Sequence, residues 1–236
     1  MTDKPIVFIA YCHPGTITHD FHTSILRALL EGKDHGYYSL AVPSFSGVSI
    51  ARNRNKLAAY FLQSNAEYML MCDTDGAWPP EAVAQLLAHD VPIVSGLAMG
   101  IDMPSGTPFP AILEWGEDGL AVRRELTDED SGLIKIGAVG MHFTLIEREV
   151  IEALGTGPGY PFAATRLVSE KDGQTRAGFI GEDVTFCLRA KRLGFDVYVD
   201  LDCPVGHYKA RLIWPPGVDG NEVLGVKFFD DKELAV

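Results

Sequence analysis

Residues Tyr68 to Asp75 constrain this chain more than any other stretch. A mostly apolar run, Tyr68-Met69-Leu70-Met71-Cys72, goes straight into Asp73-Thr74-Asp75, and Gly76, Trp78, Pro79 and Pro80 follow at once. Such a run bounded by turn residues reads as a buried strand. Carboxylates one residue apart at the mouth of a buried strand are costly unless something positive sits between them. A divalent metal carrying a phosphorylated ligand meets that demand. The remaining sequence can be read for the other parts of such a site.

The chain before this motif reads as strand, helix, strand, helix. Pro5 to Cys12 is a short apolar run that breaks at His13-Pro14-Gly15. Phe21, Ile25, Leu26 and Leu29 fall at helical spacing between Asp20 and Leu30, and Tyr37 to Val42 reads as a second strand. Ligands of open α/β sheets bind beyond the carboxyl ends of the strands, which makes His13 and Pro14 candidates for contact with a nucleotide base; a plain turn is the competing reading. Ser49 is a suitable helix cap. Arg52, Asn53, Arg54 and Lys56 crowd the first two turns of the helix that it starts. Cations there oppose the helix dipole, and a bound anion would offset that cost. Contact with a ligand by Arg52 or Arg54 stands against a merely solvated basic face.

After the motif, Pro79-Pro80-Glu81 opens a helix to about His89, and Val91 to Leu97 reads as another buried strand. Residues 99 to 132 look like an irregular insertion with one strand at about Ala111 to Trp115. Leu133 to Ile146 is apolar, with Gly137 and Gly140 implying close backbone approach or a bulge. A helix from Glu147 to Leu154 and a polar, mobile-looking segment from Tyr160 to Ala177 come next. Glu182-Asp183 starts a helix that Gly194 stops, and Val197 to Leu201 is a last strand before His207.

The sequence has 236 residues, enough for one large α/β domain or two small ones. Its formal net charge of -12 lacks the basic footprint of a general nucleic-acid binder. None of the four cysteines forms a C-x-x-C pair, so reduced, buried thiols are expected. No apolar run approaches the ~20 residues that cross a bilayer, and a cytoplasmic protein with no membrane partner is the expectation.

Four pieces resemble parts of the GT-A glycosyltransferases, in particular family 2-like and phage-encoded members: SIARNRNKLAAYFL, EYMLMCDTDGAWPPE, IKIGAVGMHFTLIEREV and GEDVTFCLRAKRLGFDVYVD with His207 beyond it. The resemblance covers most of residues 5 to 208. A lone D-x-D is weak; the set in this order is considerably more specific. It implies an α/β GT-A fold, a single Rossmann-like, mostly parallel sheet flanked by helices. Residues 1–207 would form the domain and 208–236 a tail that could cover the site. It further implies Mn2+ (or Mg2+) held by Asp73, Asp75 and His207, and a nucleotide-sugar donor, expected to be a UDP-sugar. Arg52, Asn53, Asp73, Thr74 and Asp75 would hold the donor, with Gly140 letting backbone approach the sugar. Glu182 and Asp183 would lie on the acceptor side, with Asp183 as the base that removes a hydroxyl proton. His142 is assigned a structural role, and Trp78 either packs on a sugar or belongs to the core. The acceptor stays open between a hydroxymethylated base in phage DNA, a glycan and a small molecule. The chain is shorter than the larger family 2 enzymes and has no Q-x-x-R-W segment, so processive synthesis is not expected.

Two other readings use the same carboxylates. A nucleotidyltransferase would favour a Gly-rich, Lys/Arg-bearing phosphate loop after the first strand, which His13-Pro14-Gly15-Thr16 matches poorly. A non-catalytic nucleotide-sugar-binding module would bind the donor without turnover.

Overall fold

Alternation of side chains along the first strands builds the core on both faces of one sheet. The computed structural model describes residues 4–45, 47, 49–102, 106–117, 119–155, 161–171 and 174–208. Its elements in chain order are β1 (Ile6–His13), α1 (His19–Glu31), β2 (Tyr38–Phe45), α2 (Ile50–Gln63), β3 (Tyr68–Asp73), β4 (Gly76–Ala77) and α3 (Ala82–Leu87). Then come β5 (Ile93–Ile101), β6 (Pro108–Pro110), β7 (Ile112–Trp115), β8 (Ala121–Arg123), β9 (Leu133–Ile136), β10 (Ala138–Val139), β11 (Phe143–Glu147) and α4 (Arg148–Leu154). The last are β12 (Thr165–Lys171), β13 (Gln174–Ile180), α5 (Glu182–Arg192) and β14 (Val197–His207).

Phe8, Ala10, Met69 and Met71 face one side of the sheet, where Leu57 and Phe61 of α2, Val150 of α4 and Phe186 of α5 cover them. Val7, Ile9, Leu70 and Cys72 face the other side, under Phe21 and Ile25 of α1 and Val83 and Leu86 of α3. A sheet covered on both faces needs strands that are apolar throughout, which is why β1 and β3 show no polar alternation. Trp78 lies in the second of these layers, 6% exposed, between Phe21 and Phe143. It is a core aromatic.

The main sheet has nine strands among the described residues, in the order β2-β1-β3-β11-β5-β14-β4, with β6 on β5 and β9 on β14. β1 is parallel to β2 and β3, and β14 is parallel to β5. β11 is antiparallel to both β3 and β5, so β2, β1, β3, β5 and β14 all point one way. The sheet is mostly parallel, as expected. Two small sheets are added to it, β10-β7-β8 and the β12–β13 hairpin.

The sequence reading differs from the structure in detail. Leu133 to Ile146 divides into three strands. Gly137 is where that run meets β7 most closely: a Cβ there would lie 2.8 Å from the Glu114 Cα. The irregular stretch 99–132 contains three short strands rather than one, and the polar segment 160–177 contains a hairpin. The last strand continues past Leu201 to His207, through a register shift between Asp200 and Pro204. The tail expected to cover the site lies outside the described residues from 209 on.

Candidate active site

The carboxyl ends of β1, β2, β3, β5 and β14 share one edge of the sheet. His13 ends β1, Phe45 ends β2, Asp73 ends β3 and His207 ends β14. Because β11 runs the opposite way, it begins at this edge, with Phe143 paired to Cys72. That direction delivers His142, one residue before β11, to the side of Asp73, whose N–H donates to the His142 carbonyl at 3.0 Å.

The loop after β3 is held from three sides. Both the N–H and Oγ1 of Thr18 donate to the Thr74 carbonyl at 3.1 Å. Tyr208 N–H donates to the Asp75 carbonyl at 2.7 Å, and Gly76 pairs with His207 across β4 and β14. Gly76 must be small: a Cβ there would lie 3.2 Å from the His142 ring.

Two imidazoles meet one carboxylate in this loop. His142 is 6% exposed and its Nε2 lies 3.1 Å from the Gly206 carbonyl. His207 Nδ1 lies 2.9 Å from the Met99 carbonyl. A carbonyl oxygen only accepts, so each of these nitrogens carries the proton. In the neutral rings the lone pairs then lie on His142 Nδ1 and His207 Nε2. His207 Nε2 is 3.3 Å from Asp75 Oδ2, and His142 Nδ1 is 3.8 Å from Asp75 Oδ1 and 3.6 Å from Asp73 Oδ2. The buried His142 Nδ1 has no hydrogen-bond partner among the described residues. Lone pairs facing carboxylates repel. A second proton on each ring would relieve this, and so would one cation accepting all three groups at once.

The ligand atoms of Asp75, His142 and His207 lie within 4.8 Å of one another. The residues fit a divalent metal: each imidazole is oriented by a backbone carbonyl on its far nitrogen, the usual support of a metal-bound histidine. Two imidazoles and a carboxylate suit a transition ion better than Mg2+, which prefers an all-oxygen shell.

Arg54 sits beside this cluster, 4% exposed. Its Nη2 donates to Asp73 Oδ1 at 2.9 Å and its Nη1 to Glu182 Oε1. Burial pushes the Asp73 carboxyl up, but its polar neighbours, the Arg54 guanidinium among them, more than offset it and hold its pKa below the usual value. Glu182 is therefore ion-paired inside the site. Asp183 stands in the first turn of α5, with Oδ1 accepting from Val184 N–H at 2.8 Å. Its Oδ2 faces Gly140, 3.6 Å from where a Cβ would stand. Cys12 lies near Arg54, and burial pushes its thiol up to about 11, so it is not a nucleophile at neutral pH. All four cysteines are free and buried.

A cavity of about 840 Å³ opens along α2 by the end of β2, the strand that lies beyond β1 from β3. Phe45, Ser49, Arg52, Asn53, Lys56 and Phe162 line it with others. Asn53 turns its side chain inward, accepting from Ser44 Oγ at 3.0 Å and donating to the Ser49 carbonyl at 2.8 Å. His13 packs edge-on against Phe45, ring centroids 5.8 Å apart, and accepts from Gly15 N–H; Pro14 is exposed beside it.

Of the residues singled out from sequence, Asp73, Thr74, Asp75 and His207 converge, and Glu182 joins them through Arg54. Arg52, Asn53, His13 and Pro14 lie towards the cavity end. Sequence reasoning placed His142 in a structural role and did not separate Arg54 from Arg52. The strand direction that brings His142 here is set by long-range pairing. Arg54 is two residues from Arg52, about 200° around the helix, so the two cannot serve the same space.

No protein-family model and no curated protein matches the sequence. Solved structures do match in shape. A197 from STIV has a TM-score of 0.56 at 16% identity, covering 87% of this chain and 86% of that one. GalNAc-T7, solved with UDP, GalNAc and Mn2+, has a TM-score of 0.55 at 13% identity over 88% of this chain. The chain has the GT-A glycosyltransferase fold. It spans 44% of the length of the GalNAc-T7 chain. An inositol-1-phosphate CTP transferase from T. maritima matches over 93% of both chains at a TM-score of 0.45, too low to weigh between activities.

Proposed function

We propose that this GT-A chain is a metal-dependent glycosyltransferase that moves a sugar from a nucleotide-diphosphate donor, a UDP-sugar, to an acceptor hydroxyl. The observation that carries the reading is the convergence of the Asp75 carboxylate with two imidazole lone pairs at the carboxyl edge of the sheet. The likeness in fold to GalNAc-T7, whose structure holds UDP, GalNAc and Mn2+, supports the same chemistry here. Asp75, His142 and His207 would hold the ion, Mn2+ in preference to Mg2+. When bound, it supplies Lewis-acid neutralisation of charge on the departing diphosphate.

The chain's own residues supply the rest. The cavity along α2 is large enough for a nucleoside, with Arg52 and Asn53 at its mouth and His13 and Phe45 as ring surfaces beside it. Binding there fixes the donor so that its diphosphate reaches the Asp75 loop. Asp183 Oδ2 accepts the acceptor hydroxyl proton, since Oδ1 is committed to the helix backbone. Gly140 leaves room beside that oxygen for a sugar. Among the described residues no helix is long and apolar enough to cross a membrane. The open acceptor classes are a modified DNA base, a glycan and a small molecule.

The test is a panel of nucleotide sugars incubated with Mn2+, reading free nucleoside diphosphate. Release from one donor, abolished by chelation and by Asp75→Asn, is the expected result. No release and no metal-dependent binding with any donor would end this reading.

A further inference from the structure

Arg54 is a buried cation that links three elements. It projects from α2, yet its two terminal nitrogens reach the end of β3 at Asp73 and the start of α5 at Glu182. Helix α2 does not need it there: the helix is already anchored by Leu57, Ala58 and Phe61 in the core. A fully buried guanidinium is costly, and exchanging it for an apolar side chain is often neutral or better for stability. What its burial secures is the arrangement of the groups it holds, Asp73 and Glu182.

Two consequences follow from the geometry. First, the two aspartates of the motif are not equivalent. Asp73 gives Oδ1 to Arg54 at 2.9 Å and turns only Oδ2 to His142, at 3.6 Å, whereas Asp75 faces both imidazoles and alone of the two groups with them within 4.8 Å. Secondly, Glu182 is held by Arg54, and Asp183 follows it directly on the first turn of α5. One guanidinium thus ties the first turn of α5, where Asp183 stands, to the end of β3.

We propose that Arg54 is the positioning residue of the site: it withholds Asp73 from the metal as its own counterion and, through Glu182, fixes the start of α5 so that Asp183 faces the donor end. Glu182 is then part of the clamp and not the base. The inference deepens the glycosyltransferase reading and rests on it for turnover, while its metal arm stands apart from turnover.

The experiment combines Mn2+ titration, by calorimetry or by the electron-paramagnetic signal of the free ion, with donor turnover on the full chain. Asp73→Asn is expected to bind Mn2+ within about threefold of wild type, whereas Asp75→Asn loses about 100-fold or more. Arg54→Gln frees Asp73 and tightens Mn2+ binding, and Arg54→Gln/Asp73→Asn returns it to the wild-type value. Where Arg54→Gln does not fold, Asp73→Asn decides the metal arm. Arg54→Lys and Glu182→Gln each lower kcat by about 10–100-fold with donor KM unchanged, and the double variant is no worse than the weaker single, as expected of one unit. Equal loss of Mn2+ affinity in Asp73→Asn and Asp75→Asn overturns the proposal. So does loss of all turnover in Glu182→Gln beside full turnover in Arg54→Lys, which would place Glu182 on the substrate. Melting temperatures that fall while kcat stays level would reduce Arg54 to a structural part. A wild-type protein that turns over no donor defeats the transferase reading, and the Mn2+ arm still judges Arg54.

Discussion

A single ring nitrogen carries much of the weight at the residue scale. His142 Nδ1 is buried, lacks a hydrogen-bond partner among the described residues, and points between two carboxylates. Leaving such an atom unsatisfied costs about 1–3 kcal/mol, so a site that binds no cation should be relieved by its removal. The account predicts the following pattern for His142→Ala. Without metal, its melting temperature stays at or above that of wild type. With saturating Mn2+, wild type gains stability by linkage and the variant does not. Differential scanning fluorimetry with and without Mn2+ checks both halves. Gly76 tests the same ring by steric means. Gly76→Ala places a methyl group 3.2 Å from the His142 ring. Calorimetric titration should give weaker Mn2+ binding, by about tenfold, with the far-ultraviolet circular dichroism unchanged. The sequence showed Asp75 as a candidate because it follows an apolar strand, and the resemblance to GT-A glycosyltransferases added His207. It gave no comparable sign for His142, which sits inside an apolar run and looks like any core histidine.

Two element ends at the closed side of the sheet make independent predictions. Arg148, at the start of α4, donates to the carbonyls of Phe61, Ser64 and Ala66 at the end of α2, and its guanidinium lies 4.6 Å from the Phe61 ring centroid. It satisfies carbonyls that a helix end leaves open. Arg148→Met keeps the stem and removes these bonds, so urea unfolding should register a loss of about 2–3 kcal/mol. Glu147 precedes it. Burial, with Asp90 and Glu149 nearby, raises the Glu147 pKa. A carboxyl with a raised folded pKa favours the fold only while protonated; that contribution is complete below the unfolded pKa and is lost as pH rises through the folded one. Ionised Glu147 is thus a cost at neutral pH. Glu147→Gln is expected to raise the melting temperature at pH 7.5 and to change it little at about pH 4, where the wild-type carboxyl is itself protonated. Most elements were legible from period and punctuation: Ser49, read as a cap, does cap α2 by accepting from Arg52 N–H. The three-residue strands β6 and β8 were not, because strands this short exist only through their pairing with β5 and β7.

At the scale of the whole molecule, one sheet with a core on each face sets the frame, and the candidate site lies at its carboxyl edge. Phe61 belongs to the core behind the site, fully buried and edge-on to Phe8 at 5.7 Å. Phe61→Ala should cost about 3–5 kcal/mol, read by urea unfolding. The mostly parallel direction of the strands could be anticipated from the alternation of strands and helices. The antiparallel β11 in its centre could not, since nothing local in Phe143 to Glu147 marks direction. That one reversal decides which histidine reaches Asp75, and with it the ligand set the site offers to an ion and to a diphosphate behind it. The most direct measurement is calorimetric titration of UDP into wild type and into His142→Ala, each with Mn2+ and with chelator. Binding by wild type only when Mn2+ is present, together with its loss in His142→Ala, is the predicted result. Equal binding of UDP with and without the ion, or a His142→Ala variant that binds as wild type does, would contradict the account.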